Sequence, residues 1–230
     1  MTEQFSTSTS LSAGFGGEIV WKPAPEHIEH AHLTAFMRKH EIEDFNELMQ
    51  KSTSDVAWFT DAVLKFLDIQ FYEPYTRAVD LSDGIQFPKW CVGGKMNIVH
   101  NCVDKYQVSG VRDQVAVSWE GEEGQTKTLT YDELYKAVNK TANALRSLGL
   151  GKGDAIGIFM PMTPEIVIAL LAIAKIGGII LPLFSGYGAG AIVSRLADAD
   201  AKALFAADGA FRRGKAVEMK SVADEAAEQV

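Results

Sequence analysis

The 230 residues carry 22 Lys and Arg against 30 Asp and Glu, a formal net charge of −8, with 47% hydrophobic and 23% charged residues. This is the composition of a globular chain of one or two domains with apolar mass enough for a core, and it excludes disorder as the default state. The acidic balance excludes a general nucleic-acid binder, which needs a basic face for phosphates, and two cysteines, Cys91 and Cys102, exclude a disulfide framework.

Free thiols fit a reducing compartment, so a cytoplasmic location is expected. From Met1 to Gly17 the chain is rich in Ser, Thr and Gly without a basic start or an apolar stretch; residues 1–18 read as a flexible leader and not as a secretion signal. Residues 19–108 read as a helical N-terminal extension. Its "HIEHAH" stretch brings His27, His30 and His32 close, but with no Cys or carboxylate cluster at a zinc spacing it reads as solvated and no metal site is assigned. Ser54 is placed to cap a helix whose apolar face carries Val56, Phe59, Val63, Phe66 and Leu67. The aromatics Trp58, Phe59, Phe66, Phe71, Tyr72 and Tyr75 read as core, since a base-stacking platform needs a cationic groove and only Lys65 and Arg77 are near.

Near Ser109 the pattern changes, and strand and helix signals alternate through 109–230. Val115 to Trp119 is a strand, and Thr130 with Glu133 is the signature of a capping box. The helix it opens carries an inner stripe of Leu134, Val138, Thr141, Leu145 and Leu148, and Gly149 is placed for a left-handed stop. Ala155 to Phe159 is the next strand. Thr163 and Pro164 start a helix that runs to Ile176, followed by strands Ile179 to Phe184 and Ala201 to Ala206 around a short helix, Ala191 to Ala197. The apolar run from Ile166 to Phe184 nearly matches a bilayer in length, but Lys175 at its centre and Gly177, Gly178 and Pro182 divide it into a buried helix and a strand, so no membrane span is expected. The fold class is α/β: a mostly parallel sheet flanked by helices, preceded by the helical extension.

Ligands of such sheets sit beyond the carboxyl ends of strands. There "KALFAADGAFRRGKAVEMK" sets three cations, Arg212, Arg213 and Lys215, in a turn of an otherwise acidic chain. "GLGKGD", Gly149 to Asp154, lacks the spacing of a phosphate loop and precedes its strand, so it reads as a helix stop and tight turn. "GYGAGA", Gly186 to Ala191, matches the GxGxxA fingerprint with Asp208 about twenty residues on, which leaves an NADP-binding domain open, with the basic turn as clamp for a 2′-phosphate. A non-catalytic α/β interaction module is the third reading. No Ser, His and Asp set can be assembled from sequence order, and no catalytic residue is assigned.

Three stretches then carry a resemblance: "KWCVGGKMNIVHNCVDKY", the segment from "VAVSWEGEEGQTKTLTYDELYKAVNK" through "IALLAIAKIGG", and "FSGYGAGAIVSRLADADAKALFAADGAFRRGK". In order and spacing they resemble the N-terminal part of acetyl-CoA synthetases and related short-chain acyl-CoA synthetases, which are adenylate-forming ligases. The upstream piece from "WKPAP" to "DGIQFPKW" is similar to the N-terminal extension of that group. The resemblance implies a parent enzyme that joins a carboxylic acid to ATP as an acyl-adenylate, releasing pyrophosphate, before the thiol of coenzyme A displaces AMP. It implies that Arg212, Arg213, Gly214 and Lys215 hold the nucleotide phosphates of coenzyme A, with Lys215 where arginine is usual. It also implies that Phe184, Ser185 and Gly186 lie against the adenine, with Ser185 in place of a glycine. The family's ATP loop, its ribose-binding aspartate and the catalytic lysine of its C-terminal domain have no match here. The ATP and Mg sites and the acyl pocket are thus expected in the remainder of the enzyme chain, and this piece is expected to be inactive alone and to self-associate through an open sheet edge.

Overall fold

The computed structural model describes residues 21–108 and 110–230. The leader placed at 1–18, the first two residues of the extension and the boundary residue Ser109 lie outside them. Two compact units divide between Leu67 and Asp68.

The first unit is helical: α1 (Pro25–Glu29), α2 (His32–Lys39), α3 (Phe45–Ser54) and α4 (Val56–Phe66). Aspartates start the last two, Asp44 accepting from the Glu47 amide and Asp55 from that of Trp58. The cap expected of Ser54 therefore falls to Asp55, because Ser54 still completes the last turn of α3 and its hydroxyl donates back to the Lys51 carbonyl. Phe36 is the hub. Trp58, Phe59 and Phe66 ring it at centroid distances of 6.4, 6.0 and 5.3 Å, over a core with Ile42, Leu48 and Ala62. Val56 and Leu67, at the two ends of α4, are exposed and drop out of the expected face.

The second unit opens with an antiparallel pair the sequence reading did not anticipate, β1 (Arg77–Asp80) with β2 (Lys89–Val92), then α5 (Ile98–Cys102) and a 3₁₀ turn, Asp104–Gln107. Phe71 packs edge-on to Tyr75 at 5.1 Å, but Tyr72 is exposed and is not core. Next come the antiparallel pair β3 (Val115–Glu120) and β4 (Thr126–Thr130), then α6 (Tyr131–Ser147). Thr130 and Glu133 form the reciprocal capping box, the Thr130 hydroxyl accepting from the Glu133 amide at 3.2 Å and the Glu133 carboxylate from the Thr130 amide at 2.8 Å. The buried stripe of α6 is Leu134, Val138, Ala142 and Leu145. Ala142 takes the place expected for Thr141, and Leu148, past the last helical residue, is 76% exposed. Gly149 follows with φ 86°, the left-handed stop its position predicts.

The parallel sheet has order β6-β5-β7, from β5 (Ala155–Phe159), β6 (Ile179–Pro182) and β7 (Ala203–Ala206). All five residues of β5 are buried, as an unbroken apolar strand must be when helices cover both faces. Ile156 and Ile158 turn toward α6 and α7 (Pro164–Ile176) and join Val138 and Ile173; Phe159 turns the other way, toward α8 (Ala189–Asp198) and α9 (Lys220–Ala227), with Ile192 and Met219. α7 ends at Gly177, left-handed with φ 79°. Lys175, the charge inside the long apolar run, meets Asp104 at 2.7 Å and lies 5.3 Å from the Tyr135 ring centre. Asn97 donates to the Ala174 and Lys175 carbonyls, satisfying that helix end. Among the described residues no helix is long and apolar enough to cross a membrane.

A side chain at Gly157 would begin 2.7 Å from Leu204 Cδ1 and 3.0 Å from Leu196 Cδ2. Gly157→Ala should therefore destabilise the chain by about 1–3 kcal/mol through overpacking, and Ile173→Ala by about 2–5 kcal/mol through a cavity. Leu148→Ala should stay within about 0.5 kcal/mol. Urea unfolding followed by circular dichroism checks all three; equal losses at Ile173 and Leu148 would contradict this assignment of the core.

Candidate active-site segment

The basic stretch is the tip of a hairpin rather than a plain turn. Beyond β7, the Asp208 carbonyl accepts from the Met219 and Lys220 amides at 3.0 Å each, closing the base of a two-stranded ribbon, β8 (Gly209–Arg212) with β9 (Lys215–Glu218). Arg213 and Gly214 alone connect the strands, with φ of 53° and 71°. A two-residue loop with both residues left-handed is the turn whose twist matches a strand pair. Asn-Gly is its usual sequence; Arg-Gly masks the signal, which is why the hairpin was not legible.

The register sets Arg212 directly opposite Lys215. Like charges facing each other across a strand pair are destabilising. Among the described residues no carboxylate lies within ion-pair distance of Arg212, Arg213 or Lys215, although ion pairs are spread over the rest of the chain. The neighbouring acid is Glu122, in the β3–β4 connection, whose carboxylate accepts from the Gly214 amide at 3.4 Å. The hairpin thus concentrates at an exposed tip three cations without an ion-pair partner among the described residues, an arrangement suited to an anion.

The second predicted stretch meets this tip. After β6, Leu183 is buried and Phe184 is 55% exposed; the Tyr187 amide donates to the Phe184 carbonyl at 2.9 Å, closing a turn over Ser185 and Gly186. The Arg212 guanidinium carbon stands 5.5 Å from the Phe184 ring centre. A side chain at Gly186 would begin 2.7 Å from the Phe184 ring and 3.2 Å from an Arg212 guanidinium nitrogen. A larger residue at 186 would therefore have to displace the Phe184 ring. Ser185 is half-buried in the turn, while Arg213, Gly214 and Lys215 are exposed.

Of the two fingerprint glycines, Gly186 is the one in close contact, and a side chain at Gly188 would meet nothing within 4 Å. In "GLGKGD" the Asp154 carboxylate accepts from the Gly151 amide at 2.7 Å and Gly149 and Gly153 are left-handed, as in a tight turn between α6 and β5.

Sequence reasoning missed a cleft of about 420 Å³ at the carboxyl end of β5, walled by Trp119, Glu122, Met162, Thr163 and Phe211. The Trp119 indole donates to the Met162 carbonyl at 2.7 Å, bracing its wall. Beside it, a 2.6 Å bond from Lys127 holds the Glu165 carboxyl below the usual carboxylate range and ties β4 to the first turn of α7. Trp119 and Phe211 come from different hairpins, and no sequence spacing connects them.

The profile of the family described as "AMP-binding enzyme" matches residues 105–230, and that described as "Acetyl-coenzyme A synthetase N-terminus" matches residues 45–102. The chain belongs to the AMP-binding enzyme family. Among its relatives, the acetyl-coenzyme A synthetase of Mycobacterium tuberculosis (strain ATCC 25618 / H37Rv) is 42% identical over 206 residues, covering 89% of this chain and 30% of that protein. The 3-hydroxypropionyl-coenzyme A synthetase of Sulfurisphaera tokodaii is 48% identical over 158 residues, 69% of this chain and 24% of that one. The solved structure of acetoacetyl-CoA synthetase from Streptomyces lividans superposes with a TM-score of 0.79 at 26% identity, over 91% of this chain and 32% of its own. The chain thus spans about a third or less of the length of these relatives. They do not favour the dinucleotide-binding or non-catalytic readings.

Arg213 at φ 53° is a branched-off cost of the hairpin, since a left-handed backbone disfavours residues other than Gly, Asn and Asp by about 1–2 kcal/mol. Arg213→Asn should raise stability by about 1 kcal/mol while weakening anion binding at the tip. Urea midpoints and phosphate titration of the variant check both signs; a loss of stability would mean that Arg213 serves the fold.

Proposed function

We propose that this chain is the N-terminal part of an ATP-dependent acyl-CoA synthetase, and that its basic hairpin with the Phe184 turn anchors the nucleotide end of coenzyme A. The observation that carries the reading is the Arg212 guanidinium over the Phe184 ring, at the head of three cations that, among the described residues, have no carboxylate in ion-pair reach. A nucleotide bearing a 3′-phosphate presents a flat base and an anion, and the site offers both counterparts: a ring to stack on and a guanidinium to bind the phosphate. Arg212 and Arg213 supply planar forks that grip phosphate with two bonds, whereas Lys215 supplies a point charge.

The relatives support this division of labour. Their names give different acids, acetyl, 3-hydroxypropionyl and acetoacetyl, but all are coenzyme A synthetases. A segment similar to all three suits the substrate they share better than the one in which they differ. In the complete reaction the carboxylate attacks the α-phosphorus of ATP, pyrophosphate leaves, and the thiol of coenzyme A then takes the acyl group and expels AMP. In this reading the present residues bind and orient coenzyme A, while the ATP and Mg sites and the acid pocket belong to the rest of the enzyme. Residues 19–108 act as its N-terminal extension and 109–230 as the first part of the adenylate-forming domain, in the cytoplasm. The outer edges of β6 and β7 would pair with further strands of the enzyme, or with other copies of the isolated chain.

Titration calorimetry tests the anchor. Coenzyme A and 3′-phospho-ADP should bind weakly and with salt dependence, since exposed charge pairs are screened over about 8 Å at physiological ionic strength. NADPH should bind no more tightly. Arg212→Ala should weaken coenzyme A binding by about 1.5–3 kcal/mol, ten-fold or more, and Arg146→Ala, on the exposed side of α6, should do little. Tighter NADPH binding that is lost on changing Gly188 would replace this reading with a dinucleotide site.

The chain alone should not activate acids, because positioned phosphate ligands are what adenylate formation depends on and the family's ATP loop has no match here. Carboxylate-dependent exchange of pyrophosphate into ATP should stay at background across a panel of short acids. Exchange above background would show that this piece holds a complete adenylation site.

A further inference from the structure

Phe184 does not stand alone with Arg212. The Tyr187 ring meets the Phe184 ring edge-on at 5.7 Å, and the Arg195 guanidinium carbon lies 4.4 Å from the centre of the Tyr187 ring. Arg195 is itself fixed, donating from a guanidinium nitrogen to the Ala191 carbonyl at 2.8 Å, one turn back along α8. Four side chains therefore alternate as cation, ring, ring, cation: Arg195, Tyr187, Phe184, Arg212. The two cations come from a ten-residue helix and from the hairpin, and the two rings from the turn leading into that helix.

An aromatic ring that is 55% exposed on a loop would ordinarily sample several rotamers, and a base could stack on it only after it had been ordered. Here its surroundings order it beforehand. Tyr187 packs against Phe184 in a T-shaped pair, Gly186 leaves room for the ring to lie close to the backbone, and the Arg212 guanidinium carbon stands 5.5 Å from the ring centre, each restricting its rotation. Tyr187 is held in turn by the cation over its face, and a guanidinium over a ring is attracted by the negative face of its π-system. Arg195 therefore has a task that its distance from the basic tip would not suggest.

We propose that Arg195 and Tyr187 are positioning residues for the adenine of coenzyme A: together they hold Phe184 in the orientation on which the base stacks. This rests on the coenzyme A reading above. The pair acts on the base and not on the phosphates, which fall to Arg212, Arg213 and Lys215. The two contributions separate with two probes on the full chain, 3′-phospho-ADP, which carries the adenine, and inorganic pyrophosphate, which does not.

Arg195→Met should lower the affinity for 3′-phospho-ADP about three-fold, the scale of one exposed cation–ring contact, and leave pyrophosphate affinity and its salt dependence unchanged. Tyr187→Leu should do the same, and the double variant should be no weaker than either single, since both act through one ring. Arg195→Lys, which keeps a cation over Tyr187, should recover part of the loss, and Tyr187→Phe should keep the affinity of the parent. An equal loss for both probes would make Arg195 a direct phosphate contact and overturn the proposal, as would unchanged affinity in both single variants with the parent binding normally. A parent chain that binds no 3′-phospho-ADP at all would overturn the coenzyme A reading and this inference with it. If Arg195→Met does not fold, as its thermal unfolding would show, the contrast between Tyr187→Leu and Tyr187→Phe decides.

Discussion

The second unit depends on the burial of one strand. β5 has a parallel neighbour on each side and helices over both faces, and none of its five residues reaches solvent. A strand so placed has to be apolar throughout, and at 157 glycine fits best, because the Leu196 and Leu204 side chains fill the space a side chain there would need. Ile156 and Ile158 organise the layer of α6 and α7, and Phe159 that of α8 and α9. The chain beyond the carboxyl ends of β5, β6 and β7 then emerges on one side of the sheet, which is where Met162, Phe184 and the basic hairpin are found.

The candidate site is the part of the structure where local rules are broken together. Arg212 faces Lys215, Arg213 takes a left-handed backbone better suited to asparagine, and Phe184 leaves more than half its surface in water. Each departure works against folding; single departures occur elsewhere in the unit, such as Cys91 at φ 48° and the exposed Ile85 and Met162, whereas at the hairpin and the Phe184 turn they stand together. Departures that cluster at one place and share one remedy, a flat anion bound at the tip, are more economical to explain by a ligand than one at a time. The cost is kept local by geometry: a two-residue hairpin closed at its base by Asp208 can carry unfavourable charge without disturbing the sheet it grows from.

The charge distribution follows the same logic. A chain of net charge −8 repels nucleotides at long range, so on the proposed coenzyme A reading binding would have to be won at short range by cations whose charge is not already spent on carboxylates. Elsewhere many cations are paired with carboxylates, Lys175 to Asp104 and Lys127 to Glu165 among them, while others, such as Lys140, Arg146 and Lys152, are in no ion pair among the described residues but are not gathered in one turn. Glu122, whose carboxylate accepts from the Gly214 amide, is an acid close to the tip.

Much of the α/β unit was legible in the sequence because its signals are short-range. The Thr130–Glu133 box, the unbroken AIGIF strand, Pro164 at a helix start and the glycines at helix ends each act within one turn or one strand, and each appears where its chemistry places it. Helix faces were legible only to within a residue, since Thr141 and Ala142 lie next to each other on α6 and packing against α7 selected the alanine; likewise Asp55 and not Ser54 starts α4 because α3 extends one residue further than its own sequence declares. The family resemblance named the residues of the candidate site but said nothing of their arrangement. That Arg212 stacks on Phe184, that Arg195 reaches the same group through Tyr187, and that Trp119 and Phe211 wall one cleft were decided by the tertiary structure alone. The reason is physical: these contacts join segments whose separation along the chain is arbitrary, and only the parallel pairing of β5 with β6 and β7 brings their ends to one edge.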